Sequence, residues 1–317
     1  MAGAGETVIL VCGGLADMVT ELVCARLEDL RYPYRLLNLG FYPDGYKVMW
    51  RWNGGVPSGR ITCADWELDL DDVSGVFVRG VELEAHAPFS TIPTGLEGAA
   101  LGESQAALTA MLEHLRCPVA NRVTGSWSNN SKPYQALHIR AVGLATPRTL
   151  VTSDPAAARA FYEECGGEVI FKSLSGERSI VRRMEPRDLD RLHLLRSCVA
   201  QFQAYVPGDN IRVHTVGDRL FATRARTAAV DYRYAGAQGH ELEMESTTLP
   251  QAIIEACHQL ADVFGLLIAG IDLKQTKEDE WYCFEVNPSP GFSFYELHTG
   301  QPISAALAEE LRAGIST

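Results

Sequence analysis

Asp272, Glu285 and Asn287 are side chains whose types and spacing suit holding a cation. They sit in AGIDLKQTKEDEWYCFEVNPSPGFSFYE, residues 269–296, which reads as two strands, a polar turn and a Pro/Gly loop. Side chains alternate across a strand, so Glu285 and Asn287 share one face while Phe284 and Val286 share the other. In the first strand Asp272 and Lys274 alternate with Ile271 and Leu273 in the same way. With a tight loop over Lys277–Glu280, Thr276 pairs with Trp281 and Asp272 falls opposite Glu285. Slipping the register by one would put carboxylates among apolar side chains. Two carboxylates directly across a strand pair repel, and with an amide oxygen beside them they suit a hard cation such as Mg²⁺. The competing reading is a solvated strand face with ordinary acids.

Other candidates are weaker when taken singly. Lys172 lies in VIFKSL, where a strand lysine among apolar neighbours calls for an anion, unless it snorkels from an edge strand. Lys132 precedes a helix in a loop, where lysines are commonly just solvated. Arg226 and Arg233 flank Asp231, and a surface salt-bridge cluster is the default account of them. Residues 173–179 could cover phosphates with backbone N–H groups, but the loop holds a single glycine. QFQAYVPGDN runs from a strand into a turn, and exposed backbone after Gln203 could meet an adenine edge. The eight histidines show no metal-ligand spacing, and no serine sits in a nucleophile-elbow motif.

These residues need elements to hold them. The 317-residue chain, 46% hydrophobic, is long enough for two or three packed domains. A block over residues 1–125 opens with a βαβ unit (Val8–Cys12, Leu15–Leu30, Tyr34–Leu39), followed by hairpins over 46–70 with turns at Asn53-Gly54-Gly55 and Ser58-Gly59. The buried strand VFVRG, a helix over 97–115 and a short strand over 118–121 complete it. The first strand ends in Gly13-Gly14, but without the spaced glycine fingerprint a dinucleotide site is disfavoured. After a polar linker, residues 126–200 alternate helices and strands, with Asp154-Pro155 opening a helix. Residues 201–317 carry a hairpin, a helix, the acidic hairpin and a last helix. The formal charge of −12 argues against non-specific nucleic-acid binding. No apolar run reaches membrane-spanning length, the first residues read as a strand rather than a signal peptide, and eight scattered cysteines suggest reduced thiols in the cytoplasm.

In this order the pieces resemble an ATP-grasp ligase. FEVNPSPGFSFYE is similar to the matching segment of RimK-like ribosomal-protein glutamate ligases, and Asp231-Tyr232-Arg233 resembles their Asp-Phe-Arg. VFVRG, ANR and SKPYQAL together look like the N-terminal part of microviridin-type (graspetide) ligases. The resemblance implies an α/β (α+β) three-part architecture: an N-terminal domain, a central lid and a C-terminal subdomain, with ATP between the last two. It implies that Asp272, Glu285 and Asn287 hold one or two Mg²⁺ ions, or Mn²⁺, and that Lys132 and Lys172 bind phosphates. Gln203, Ala204, Tyr205 and Val206 would bracket adenine, with Asp209 or Asn210 at the ribose. Arg226 falls where that group keeps a phosphate-facing arginine. Ala204 stands where many members carry a charge, Asn210 replaces the common acid, and the glycine-poor loop 173–179 leaves closure to Arg178 or to bound substrate.

The activity so implied is joining a carboxylate to an amine or hydroxyl through an acyl phosphate, with release of ADP and phosphate. Action on a peptide or amino-acid substrate in peptide modification or natural-product biosynthesis is the leading expectation. A ligase for a small amino or hydroxy acid and a non-catalytic ATP-binding subunit are the alternatives. Substrate identity, amide against ester, and monomer against homodimer stay open.

Overall fold

The structure is a computed structural model describing residues 7–313 apart from 15, 42–43, 53, 81–94, 174–180, 228–231 and 233–238. The first strand, β1 (Val8–Gly13), is buried along its whole length. A continuous apolar run of this kind suits the middle of a parallel sheet covered on both faces. It pairs in parallel with β2 (Tyr34–Asn38) on one side and, on the other, with β6 (Val73–Val78), which pairs with β7 (Val119–Ala120). Helix α1 (Met18–Asp29) links β1 to β2, its N-terminus capped by Asp17, and α2 (Gly95–His114) precedes β7. Between β2 and β6 lies an antiparallel sheet of β3 (Tyr46–Arg51), β4 (Ser58–Cys63) and β5 (Glu67–Asp69). Ser58-Gly59 therefore does not form the expected turn. It opens β4, and a Cβ on Gly59 would lie 2.1 Å from the Met49 carbonyl oxygen of the paired strand.

A small antiparallel sheet follows, ordered β10-β9-β11-β8, from β8 (Thr149–Thr152), β9 (Val169–Lys172), β10 (Arg182–Arg183) and β11 (Ala200–Ala204). Helix α4 (Pro155–Glu164), opened by Asp154 and Pro155 as expected, packs on it beside the 3₁₀ stretch Pro186–Ser197. The boundary expected at residue 200 thus falls within a structural unit: β11 pairs with β8 and β9 on both sides. The expected polar linker is largely helical. Turns over Val123–Asn130 lead into α3 (Lys132–Ala141), whose Ile139 packs in the core of the next sheet rather than in the small one.

That next sheet is antiparallel, ordered β14-β13-β12-β15-β16, from β12 (Asp209–Val216), β13 (Arg219–Arg226), β14 (Glu243–Thr247), β15 (Ile268–Gln275) and β16 (Trp281–Asn287). Ile211, Val213, Ile271 and Leu273 face α5 (Gln251–Val263), which supplies Ala256, Cys257 and Leu260 to the same core. The chain ends in α6 (Ser293–Thr299) and α7 (Ile303–Ala313). Helix α7 packs against β6 and α1, sharing a core with Val11 and Phe77. The approach is close, since a Cβ on Gly75 would come within 2.1 Å of the Leu311 carbonyl oxygen. The first block is therefore completed by the last helix.

Candidate functional site

The acidic hairpin forms with Asp272 directly opposite Glu285 and Gly270 opposite Asn287. It reaches that pairing by a different register from a plain alternation. Gln275, not Thr276, pairs with Trp281, and the register shifts by one between Asp272 and Leu273. Thr276 instead donates its N–H to the Glu280 carbonyl at 2.9 Å. The extra residue is Phe284, a bulge that lets two residues oppose one. Cys283 and Val286 go into the core, while Phe284 joins Glu285 in lining a cavity, so Phe284 does not share the Val286 face. Strand β16 is an edge strand, and its outer groups are covered. The Gln135 side chain donates to the Val286 carbonyl at 2.7 Å and accepts from its N–H at 3.1 Å. Ala145 exchanges hydrogen bonds with Trp281 and Cys283.

Two cations meet the two carboxylates. Lys132, the first residue of α3 after the Ser131 cap, donates to Glu285 Oε2 at 2.8 Å and to Asn129 Oδ1 at 3.1 Å. Arg212 lies opposite Asp272 on β12 and donates from Nη1 to its Oδ1 at 2.7 Å. Burial alone would raise the Glu285 carboxyl, but Lys132 beside it, with Lys172 and Arg212, outweighs that and holds it below the usual carboxylate range. For Arg212, burial favours the neutral form, yet Asp272, Tyr295 and Tyr232 outweigh it and raise its pKa above the ordinary arginine value. The space for this guanidinium comes from Gly270, where a Cβ would lie 2.1 Å from Nη2. Behind Arg212 lie His214 and the hydrogen-bonded hydroxyls of Tyr232 and Tyr295, 2.7 Å apart.

Asp272 and Glu285 open on a cavity of about 110 Å³ whose lining includes Ile170, Lys172, Gln203 and Asn210. A neighbouring cavity of about 450 Å³ shares Lys172, Gln203 and Phe284 and adds Lys132 and Thr149. The cleft thus lies between the small sheet and the five-stranded sheet. Gln203 donates to Thr149 Oγ1 at 3.0 Å, and its buried Oε1 has no hydrogen-bond partner among the described residues. A buried unpaired acceptor beside a cavity is the kind of group a ligand donor would satisfy. The backbone after Gln203 is less open than expected: Ala204 N–H donates to the Arg148 carbonyl and Tyr205 N–H to that of Glu168, each at 2.9 Å. Lys274, overlooked in the sequence, donates to the Val206 carbonyl at 2.9 Å beneath the Tyr205 ring, and burial lowers its pKa.

Two expected residues lie elsewhere. Arg226 is on the opposite face of the sheet from Asp272, in line with Arg224 and Ala222, and pairs with Asp209 at 3.4 Å and Glu245 at 3.0 Å. Asp209 accepts from Arg224 at 2.7 Å on that same face, so Asn210 rather than Asp209 lines the cavity. The reason is strand alternation, which turns Asn210 and Arg212 inward and Asp209 outward. Loop residues 174–180, including Arg178, and Asp231 and Arg233 lie outside the described residues.

The donor set fits a hard cation shared with a polyphosphate. Among the described residues no three His, Cys, Asp or Glu side chains gather as a metal cluster. Two carboxylates and one amide oxygen are too few to satisfy Mg²⁺ alone, and a Mg²⁺ bound by so few protein ligands takes the rest from phosphate and water.

A family model described as the RimK-like ATP-grasp domain matches residues 129–311. Among curated relatives, a "probable alpha-L-glutamate ligase" from Rhodopirellula baltica is 25% identical over 229 residues, 69% of this chain and 56% of that protein. One of the same name from Xanthomonas oryzae pv. oryzae is 28% identical over 153 residues, 47% of this chain and 48% of its own. The chain thus spans about half the length of these curated relatives. Among solved structures, the macrocyclase MdnC bound with precursor peptide MdnA, from Microcystis aeruginosa MRC, is 25% identical, with TM-score 0.81 over 96% of this chain and 99% of that one. A RiPP-associated ATP-grasp ligase of Chryseobacterium gregarium, in complex with ADP and a leader and core peptide, has the same fold, with TM-score 0.81, 23% identity and 96% of each chain covered. With more than half of its length inside the family model, and the paired carboxylates within that half, the chain belongs to the RimK-like ATP-grasp family.

Proposed function

We propose that this protein is an ATP-dependent ligase that activates a carboxylate as an acyl phosphate and passes it to an amine or hydroxyl of a peptide. The observation that carries the reading is Asp272 directly across from Glu285, facing Lys172 and Gln203 over the cleft. Asp272, Glu285 and Asn287 would hold one or two Mg²⁺, which when bound neutralise the charge on the β- and γ-phosphates. Lys132 and Lys172 bring positive charge to the phosphates, and Phe284 and Ile170 offer apolar surface to adenine near Gln203 and Val206. Asn210 lies where a ribose hydroxyl would find a polar partner.

Arg212 takes the part expected of Arg226. A fixed guanidinium beside the carboxylates, with no reorganisation needed, stabilises charge that develops on the transferred phosphoryl group. The substrate carboxylate attacks phosphorus and ADP departs. The acceptor then attacks the acyl carbon, releasing phosphate and a proton. Holding the partners in line suffices for this second step, because the mixed anhydride is already reactive.

A peptide substrate is supported by the names of the solved relatives, one a macrocyclase with its precursor peptide and another a ligase with leader and core peptides. The curated relatives' names favour a second reading, addition of a free amino acid such as glutamate. A cytoplasmic location belongs to the same proposal, supported by eight free cysteines, of which Cys12, Cys24, Cys117, Cys257 and Cys283 are buried. Incubating the protein with ATP, Mg²⁺ and acidic peptides, with and without glutamate, and following mass distinguishes the two. Loss of one water per bond marks cyclisation, and gain of a glutamyl residue marks addition. Glu285→Gln should stay folded and form no ADP, and a folded variant with full turnover sinks the proposal.

A further inference from the structure

Asn287 is the last residue of β16, and the next residues, Pro288–Ser289–Pro290, lie outside any strand. The Ser289 N–H donates to Asn287 Oδ1 at 2.8 Å. Ser289 is gripped in turn from the first block of the chain. Arg79, just past the end of β6, donates from Nη1 to the Ser289 carbonyl at 2.7 Å and to its Oγ at 2.8 Å. Arg79 has its own anchor, since its Nε lies 3.2 Å from Asp17 Oδ2. That same oxygen accepts from the Thr20 N–H at 2.8 Å in the first turn of α1. A relay of four groups therefore runs from the start of α1 to the side-chain oxygen of Asn287.

An amide oxygen has two lone pairs. Ser289 occupies one, and its position fixes where the other points. A guanidinium making two bonds to one residue restricts that residue more than a single contact would. Asn121 adds to the restriction by donating to the Pro288 carbonyl and to that of Ile268, while its own oxygen accepts from the N–H groups of Leu267 and Ile268.

We infer that Arg79 is a positioning residue of the cation site, fixing Ser289 and through it the coordinating oxygen of Asn287. The inference rests on the reading of Asn287 as a cation ligand beside Asp272 and Glu285. Its consequence is that the N-terminal block, which supplies none of the proposed ligands, sets how tightly the C-terminal sheet holds its cation.

Binding of Mn²⁺ together with a non-hydrolysable ATP analogue, read by electron paramagnetic resonance, tests this without turnover. Asn287→Ala, Arg79→Ala and Arg79→Lys are compared with the unaltered protein, with thermal melting alongside. The expected result is Mn²⁺ affinity lowered about tenfold in Arg79→Ala, the lower end for loss of a ligand-orienting partner. Arg79→Lys, which keeps the charge but not the paired donation, should fall between. If Asn287→Ala weakens Mn²⁺ while both Arg79 variants bind as the unaltered protein does, the positioning role is overturned and the ligand reading stands. Unchanged Mn²⁺ affinity in Asn287→Ala overturns the ligand reading itself. A drop in melting temperature without any change in affinity makes Arg79 merely structural and also overturns the inference. Should Arg79→Ala fail to fold, Arg79→Lys decides on the same terms.

Discussion

Arg212 and Asp272 face each other across β12 and β15 with 2.7 Å between Nη1 and Oδ1, and the arginine is almost fully buried. Removing one member of such a pair leaves the other charged and poorly solvated. Arg212→Ala should therefore lower stability by about 3 kcal/mol, the usual range for an uncompensated partner. Because the guanidinium also faces the transferred phosphoryl group in the proposed mechanism, ADP formation should fall far more than the melting temperature suggests. Calorimetry and a coupled ADP assay on one preparation check both.

Gly270→Ala provides the same test without removing a charge. The new methyl would lie 2.1 Å from Arg212 Nη2 and 2.7 Å from the Pro290 Cβ, so the guanidinium must move. Turnover should drop with the variant still folded, and a crystal structure should show Arg212 displaced from Asp272.

Arg226→Ala should do little. Arg226 and Glu245 are exposed and Asp209 is half-buried, and surface pairs of this kind contribute about 1 kcal/mol at most. Its position on the face away from the carboxylates predicts near-normal ADP formation. Measuring Arg212→Ala and Arg226→Ala side by side asks which of the two arginines serves the phosphates.

Glu285 should leave a mark on acid stability. Its folded pKa is lowered, so its contribution is fully present above the ordinary glutamate value and is lost as pH falls through the folded value. Without divalent cations, the melting temperature should decline more steeply on acidification than that of Glu285→Gln. Parallel curves would show that Lys132 does not hold the carboxylate charged.

Lys274 should act at the other end of the scale. Burial lowers its folded pKa below the ordinary 10.5, so the folded state carries a penalty that is full at low pH. The penalty is relieved as pH climbs from the folded value towards the unfolded one. Melting curves of Lys274→Met and the unaltered protein should shift in favour of the unaltered protein over that alkaline window.

Much of this was legible in the residues themselves. The opposition of Asp272 and Glu285 is legible in the hydrophobic pattern, although the strands reach it through a bulge rather than the plain register. The order of lysines, hinge and acids follows from the resemblance. The rest is illegible for identifiable physical causes. The bulge at Phe284 is invisible to a hydrophobic pattern, because a phenylalanine suits a core as well as a cleft. Asn210-Ile211-Arg212 resembles the family's acidic-Ile-Arg step, but the sequence attaches no role to Arg212, because Asn210, Arg212 and His214 make a polar stripe that reads as solvent-facing. Arg212 and His214 are instead buried beside Tyr295. Arg226 was misplaced because β13 continues through Arg226, where the sequence reads as irregular, so its face could not be counted from a known start. Lys274 reads as an ordinary polar residue on a hairpin, and only its burial in the fold makes it costly to charge.

The seating of α7 on β6 also dictates an order of events during synthesis. The parallel sheet lacks part of its cover until α7 has been made, a contact with over two hundred residues between Gly75 and Leu311. Such long-range closure is slow. Until then the Val11 and Phe77 side has α1 but not α7 over it, so chaperone dependence should concentrate on that sheet. Trimming the final helix should then harm the part of the protein farthest from it in sequence.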